Sequence, residues 1–152
     1  MFQIRKMRLT EAAQVLTLWN ENCLEAAQRS LSADESTSVL IALGQYAAHP
    51  QAFCLVAEVN GELAGFLTSH LSSHPILEGL VGEIEEIFVQ PQVRRSGIGS
   101  ALVREAVNLL RQQGASTLRV YACAESPVAR AFWAHLGWEQ DLVVYSLYQS
   151  SC

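Results

Sequence analysis

The sequence predicts a mixed α/β domain, with one sheet and helices packed on it, and three observations carry that expectation. Apolar residues alternate with polar ones in several short runs, and Asn60-Gly61 joins two of those runs as a two-residue hairpin. A pair of glycines, Gly97 and Gly99, stands between an apolar run and an amphipathic helical segment. With 152 residues, 50% of them hydrophobic, the chain suits one compact domain, 1–152, with a sizeable core.

The elements follow in order. Phe2, Ile4 and Met7 alternate with polar neighbours and predict a first strand ending near Leu9. Thr10-Glu11 opens a helix whose apolar stripe is Val15, Leu16, Trp19 and Leu24. A second helix runs from about Asp34 to Ala47, stopped by His49-Pro50. Phe53–Val59 and Glu62–Leu71 are the hairpin strands. The loop Ser72–Gly79 leads to a strand from about Leu80 to Val89. Ile98, Leu102, Ala106, Leu109 and Gln113 then share a helical face that Gly114 ends. Leu118–Ala122 is a further strand, Pro127 opens a last helix closed by Gly137, and Leu142–Tyr148 is the expected final strand.

Composition excludes several classes. The net charge of −5 argues against a general nucleic-acid binder. The uncharged run from Ser36 to Ala57 is broken by Gly44, His49 and Pro50, so it is not a membrane span, and the N-terminus lacks a signal core. Cys23, Cys54, Cys123 and Cys152 show neither disulfide nor zinc spacing, which makes a reducing cytoplasm the expected location.

The most informative stretch is Val89-Gln90-Pro91-Gln92-Val93-Arg94-Arg95-Ser96-Gly97-Ile98-Gly99-Ser100. The first N–H groups of a helix lack intrahelical partners, and the helix dipole adds positive charge there. Glycines remove the side chains that would keep a ligand away. The turn therefore suits an anion with several oxygens, most plausibly a pyrophosphate. A dinucleotide fingerprint needs a third small residue where Leu102 stands, and no Gly-Lys-Ser/Thr exists for a Walker loop. Arg94-x-x-Gly97-x-Gly99 after a strand instead resembles the acyl-CoA motif of the GNAT acetyltransferase superfamily.

A second stretch, Ser126-x-x-Ala129-x-x-Phe132-Trp133-x-x-Leu136-Gly137-Trp138, could be helix packing by itself. It also resembles the late motif of that family, and the element order matches from about Phe2 to Tyr148. The resemblance implies a central, mostly antiparallel mixed sheet flanked by helices and splayed at an acyl-CoA cleft. It implies acetyl-CoA as co-substrate, with its pantetheine arm beside Ile87, Phe88 and Val89. Its pyrophosphate then lies on Arg94, Arg95, Ser96, Gly97, Ile98, Gly99 and Ser100, and Ser126, Ala129, Phe132 and Trp133 complete that side. Two positions depart from the family pattern: Ser126 replaces an asparagine, and Trp133 replaces a tyrosine thought to protonate the departing thiolate. Indole N–H is not a useful acid, so that role is not carried over, and Cys123, Tyr121, Tyr145 or water remain open as substitutes. With a reference thiol pKa of about 8.5, the thiolate leaves without much help.

Glu83, Glu85 and Glu86 precede the glycine turn. Regular alternation puts Glu83 and Glu85 on one face and Glu86 with Ile84 and Phe88, but the apolar phase changes and hints at a bulge near Glu85 or Glu86. An amine nucleophile must lose a proton, and a carboxylate can take it directly or through water. Glu85 is the first choice by motif position, with Glu83 and Glu86 as substitutes; a structural ion pair is the bland alternative for each. By resemblance the N–H near Val89 bonds the thioester carbonyl. His70 and His74 border the variable loop and stay outside the core set. The resulting expectation is an N-acetyltransferase acting on a small-molecule or peptide amine in a ternary complex. An acyl-CoA-binding sensor without turnover, or a protein N-terminal acetyltransferase, are the alternatives. Whether the final strand pairs with a second copy in a homodimer is left open.

Overall fold

Asn60 and Gly61 adopt φ of 51° and 82°, the double left-handed turn whose twist matches the strands it joins. Those strands are β2 (Ala52–Val59) and β3 (Glu62–Ser73). With β1 (Phe2–Lys6), β4 (Leu80–Val89) and β5 (Ala115–Val120) they form a five-stranded sheet ordered β1-β2-β3-β4-β5. The first four pair antiparallel, and β5 runs parallel to β4 after a helical crossover. The computed structural model describes residues 1–123 and 125–148, in two compact units, Met1–Tyr121 and Ala122–Cys152. Cys152 lies outside the described residues.

In the first unit a 3-10 turn at Leu9–Glu11 leads into α1 (Ala12–Ala27). Glu11 is buried and fastens this corner: Arg5 donates to both its oxygens at 2.8 and 2.7 Å, the Arg8 N–H donates at 2.8 Å, and Arg5 also reaches Glu58 at 3.0 Å. Helix α2 (Ala33–Ala48) begins at Ser32, whose hydroxyl accepts from the Glu35 N–H at 3.1 Å while Glu35 reaches back to the Ser32 N–H. Val15 and Leu18 of α1 and Leu43 of α2 pack with Cys54, Val56, Phe66 and Phe88 on one sheet face. Trp19 stacks on Phe66 with ring centroids 5.2 Å apart. Burying a side chain such as Phe66 contributes roughly 2–3 kcal/mol.

Helix α3 (Ile98–Gln112) lies against β2, β3, β4 and β5. Its buried positions are Ile98, Leu102, Val103, Ala106 and Leu110, so Leu110 rather than Leu109 completes the stripe. Gly82 makes room here, since a Cβ would stand 3.0 Å from both Leu110 Cδ1 and Leu118 Cδ2.

The second unit contains α4 (Pro127–His135), capped by the Ser126 hydroxyl, which accepts from the Ala129 N–H at 3.2 Å. Trp133 packs edge-on to Phe132 and Trp138, at 5.1 and 5.0 Å. The expected strand Leu142–Tyr148 is not formed, and among the described residues nothing pairs with it. Its apolar side chains stand exposed, Leu147 at 98%. Strand propensity measures fit to a half-buried pleated surface rather than a backbone preference, so composition alone does not make the strand.

Candidate functional site

The site grows from one irregularity in the β3–β4 ladder. Thr68 pairs with Glu86, but the next residue, Ser69, pairs with Ile84, so Glu85 is the extra residue of a bulge. The bulge expected from the apolar phase change is thus present, and it corrects the alternation expected for Glu86. Glu86 and Phe88 lie opposite Thr68 and Phe66, Glu83 lies opposite His70, and Ile84 takes the other face. One inserted residue therefore brings Glu83, Glu85 and Glu86 to the face covered by α1 and α2.

Contacts bear this out. His70 Nδ1 lies 2.9 Å from Glu85 Oε1, and its Nε2 lies 3.6 Å from Glu83 Oε2. Asn22 of α1 donates to Glu86 Oε2 at 3.3 Å. Burial, then the charge on Glu85, raises the Glu86 carboxyl above the ordinary range, and the Asn22 amide opposes them. Tyr46 of α2 is half-buried, which pushes its hydroxyl well up, and the Glu85 carboxylate pushes it further. Two fully buried hydroxyls on β3 hold the bulge in place. Thr68 Oγ1 accepts from the Glu86 N–H at 3.2 Å, and Ser69 Oγ donates to the Glu83 carbonyl at 2.7 Å.

Beyond the bulge, no described residue pairs with the outer edge of β4. Strand β5 pairs with β4 only as far as Ile84, opposite Val120. Gln90 N–H donates to the Ala64 carbonyl at 2.9 Å, which makes 64/90 a hydrogen-bonded pair. Such pairs alternate along an antiparallel ladder, so Phe66/Phe88 is bonded across it, whereas Gly65/Val89 and Leu67/Ile87 are not. The N–H and C=O groups of Ile87 and Val89 hence point away from β3, toward the gap left by β5. The Val89 carbonyl is taken there by Arg94 Nε at 2.8 Å.

A 3-10 turn at Pro91–Val93 carries the chain from β4 to α3. Arg95 has φ of 64° and Gly97, the residue before the helix, φ of 87°. Among the described residues nothing lies within 4 Å of where a Gly97 Cβ would be, which leaves this turn open. Ala101 N–H already reaches the Gly97 carbonyl at 3.0 Å, which leaves the N–H groups of Ile98, Gly99 and Ser100 without intrahelical acceptors. Arg95 and Ser96 are exposed beside them. Arg94 is engaged otherwise: its Nη2 donates to both oxygens of Glu25 at 2.8 and 2.7 Å, and its guanidinium lies over Phe88, 5.6 Å from the ring centroid. Gln90 likewise reaches Glu21, at 3.3 and 3.2 Å. The end of α1 is thereby tied to the turn, a link that sequence reading missed. Ser126, Ala129, Phe132 and Trp133 belong to the second unit, in the cap and body of α4.

Asn22, Tyr46, Thr68 and Ser69 were not legible as site residues, since each reaches β4 only through tertiary contact. His70 did carry a signal, standing beside the loop, but nothing in the sequence paired it with Glu83 and Glu85.

A bulged, carboxylate-bearing strand thus runs into the glycine turn that opens α3. The family description "Acetyltransferase (GNAT) family" matches residues 15–138, and the chain belongs to that family. A protein named an uncharacterized N-acetyltransferase of Methanocaldococcus jannaschii is 36% identical over 90 residues, 59% of this chain and 40% of that protein. The chain thus spans less than half the length of that relative. Among solved structures, a transcriptional regulator from Bacillus halodurans has a TM-score of 0.85 at 18% identity, covering 98% of this chain and 100% of that one. An aminoglycoside N-acetyltransferase in complex with CoA has a TM-score of 0.79 at 18% identity, covering 100% of this chain and 96% of that one.

Proposed function

We propose that this chain is an N-acetyltransferase that moves the acetyl group of acetyl-CoA to a primary amine within a ternary complex. The observation carrying this reading is the outer β4 edge from Glu85 to Val89, paired by no described residue, with carboxylates gathered at one end and an open helix N-terminus at the other. The family match spans residues of both compact units, which supports reading 1–152 as one domain.

Acetyl-CoA supplies an acetyl group activated as a thioester. The N–H groups of Ile98, Gly99 and Ser100 hold its pyrophosphate, and the open space over Gly97 admits those oxygens. The exposed Arg95 side chain and the Ser96 N–H add to this grip, the Ser96 hydroxyl being given to the Val93 carbonyl at 2.5 Å, whereas Arg94 acts by holding the turn to Glu25. Ile87, Phe88 and Val89 run beside the pantetheine arm, and Val89 N–H meets the acetyl oxygen, where negative charge grows. Ser126, Ala129, Phe132 and Trp133 are assigned to the cofactor side from the late motif alone.

Glu85 accepts the proton of the acceptor ammonium, directly or through one water, with Glu83 and Glu86 as the neighbouring substitutes. The amine nitrogen then bonds the acetyl carbon and loses its second proton to water, the carbon–sulfur bond breaks, sulfur leaves with the electron pair and takes up a proton from water, and Glu85 returns its proton to solvent. Cys23, Cys54 and Cys123 are unpaired, which supports a reducing cytoplasm. Among the described residues, no helix is long and apolar enough to cross a membrane.

The test is release of CoA thiol with a panel of amines. Turnover lost in Glu85→Gln while acetyl-CoA binding persists supports catalysis. Trp133, which cannot donate a proton as a tyrosine would, favours the second reading, an acyl-CoA-binding sensor; binding without turnover on any amine selects it.

A further inference from the structure

Arg94 stands where the family pattern puts a pyrophosphate ligand, but its guanidinium is bonded elsewhere. Nε donates to the Val89 carbonyl at 2.8 Å, and Nη2 donates to both Glu25 oxygens at 2.8 and 2.7 Å. The guanidinium carbon lies 5.6 Å from the centroid of the buried Phe88 ring. We propose that Arg94 is a positioning residue for the acyl group: it caps the Val89 carbonyl and braces it on α1, so that Val89 offers its N–H beside an occupied acceptor. This role rests on the acetyl-transfer reading above and deepens it by naming what fixes the register of the thioester along β4.

Past Ile84 no described residue pairs with the outer edge of β4, and Ile87 and Val89 each turn an N–H and a C=O toward it. Such a row of donors and acceptors admits the amides of an extended arm in more than one register. A register that placed an arm N–H on the Val89 carbonyl would carry the thioester oxygen away from the Val89 N–H. Arg94 opposes it, because a charge-assisted bond already occupies that carbonyl and sets positive charge where the N–H would come. Oxygen is favoured there instead, above all as it gains negative charge. The grip is stiff because the guanidinium is planar and its donors form a fixed fork. Its Val89 bond closes the Pro91–Val93 turn, the Phe88 ring supports one face, and Glu25 fixes the far end. From Glu21 to Ala27 α1 buries no side chain, and Glu21 and Asn22 add bonds to Gln90 and Glu86. The exposed Glu25 pair is thus one of a row of ties rather than an isolated surface ion pair, which by itself would contribute little.

Arg94→Met keeps an unbranched apolar stem over Phe88 and removes every donor. Calorimetry reads acetyl-CoA affinity, and difference infrared spectroscopy of acetyl-CoA isotope-labelled at the acetyl carbonyl reads that bond in the binary complex, without amine. In the parent the Val89 N–H should hold the carbonyl band below its position in free acetyl-CoA. Arg94→Met should return the band toward the free position and raise the dissociation constant less than about fivefold, while kcat with an accepted amine falls about tenfold. Glu25→Gln, which loosens the guanidinium without removing it, should move the band the same way by less and leave acetyl-CoA no tighter. A dissociation constant raised about fivefold or more by Arg94→Met, or lowered about threefold or more by Glu25→Gln, would make Arg94 a pyrophosphate ligand and overturn the positioning role while acetyl transfer stands. A parent band at the free position, or one unmoved by Arg94→Met, would overturn the role as well. If the parent binds acetyl-CoA but acetylates no amine, the transfer reading fails and the band still decides the role of Arg94; no binding by the folded parent ends both.

Discussion

Replacing Thr68 with valine keeps the side-chain shape and removes only the oxygen that accepts from the Glu86 N–H at 3.2 Å. Thr68 is fully buried, so no water can take the place of that oxygen from its own side. The Glu86 N–H keeps the Thr68 carbonyl, since 68/86 is the next bonded pair of the ladder, so what is lost is the second of its two acceptors, and a net hydrogen bond is worth about 0.5–1.5 kcal/mol. The new methyl gains some apolar burial, so the lower part of that range, about 0.5–1 kcal/mol, is expected. For a chain of this length that corresponds to a melting temperature lower by about 2–3 °C. The bulge also aims Glu85, so kcat for acetyl transfer should fall in Thr68→Val. Thr68→Ser keeps the hydroxyl and loses a methyl; it should cost about 1 kcal/mol and leave kcat close to the parent. Urea unfolding of all three proteins, with kcat measured on the same preparations, reads both effects. A Thr68→Val protein as stable and as active as the parent would refute the idea that this hydroxyl holds the bulge.

Other expectations follow from the same geometry. Glu85→Gln should lower kcat by about 10²–10³ and leave the acetyl-CoA dissociation constant, measured by calorimetry, unchanged within about twofold. The guanidinium of Arg5 holds the Glu11 carboxyl down at about 2, against an ordinary value of 4.5. That stabilisation, about 3 kcal/mol, is present above pH 4.5 and lost as pH falls toward 2; Glu11→Gln should flatten the stability profile in that window. Gly65→Ala places a Cβ 2.9 Å from the Phe88 carbonyl, where backbone must move, whereas Gly82→Ala meets only leucine side-chain tips at 3.0 Å. Chemical denaturation should therefore find Gly65→Ala the costlier of the two, by about 1–2 kcal/mol.

Much of the fold was legible because its signals are local. Asn60-Gly61 demands left-handed backbone at both positions, and the bounds of β4 fall where the apolar run ends. Gly97 and Gly114 set the limits of α3 through their own backbone angles. The site was legible only in part. Glu83, Glu85 and Glu86 could be named as a cluster, and a bulge suspected, but period-2 alternation alone put Glu86 with Ile84. Its actual face depends on the β3 partner and on the hydroxyls of Thr68 and Ser69, which no local pattern announces. Arg94 was expected at the anion, yet its partners Glu25 and Val89 come from a helix far away in sequence and from the end of the preceding strand. The strand expected at Leu142–Tyr148 failed for a related reason, since a ladder needs a neighbour and sequence supplies only half of each pair.

The proposed acetyl transfer depends most on the N-terminus of α3 gripping the pyrophosphate of coenzyme A. Calorimetric titration of the protein with acetyl-CoA and, separately, with pantetheine, which lacks the pyrophosphate, tests this directly. The expected result is saturable binding of acetyl-CoA, weakened about tenfold or more by Gly97→Val, and no comparable binding of pantetheine. Equal binding of the two ligands, or no heat from acetyl-CoA with a folded protein, would contradict it.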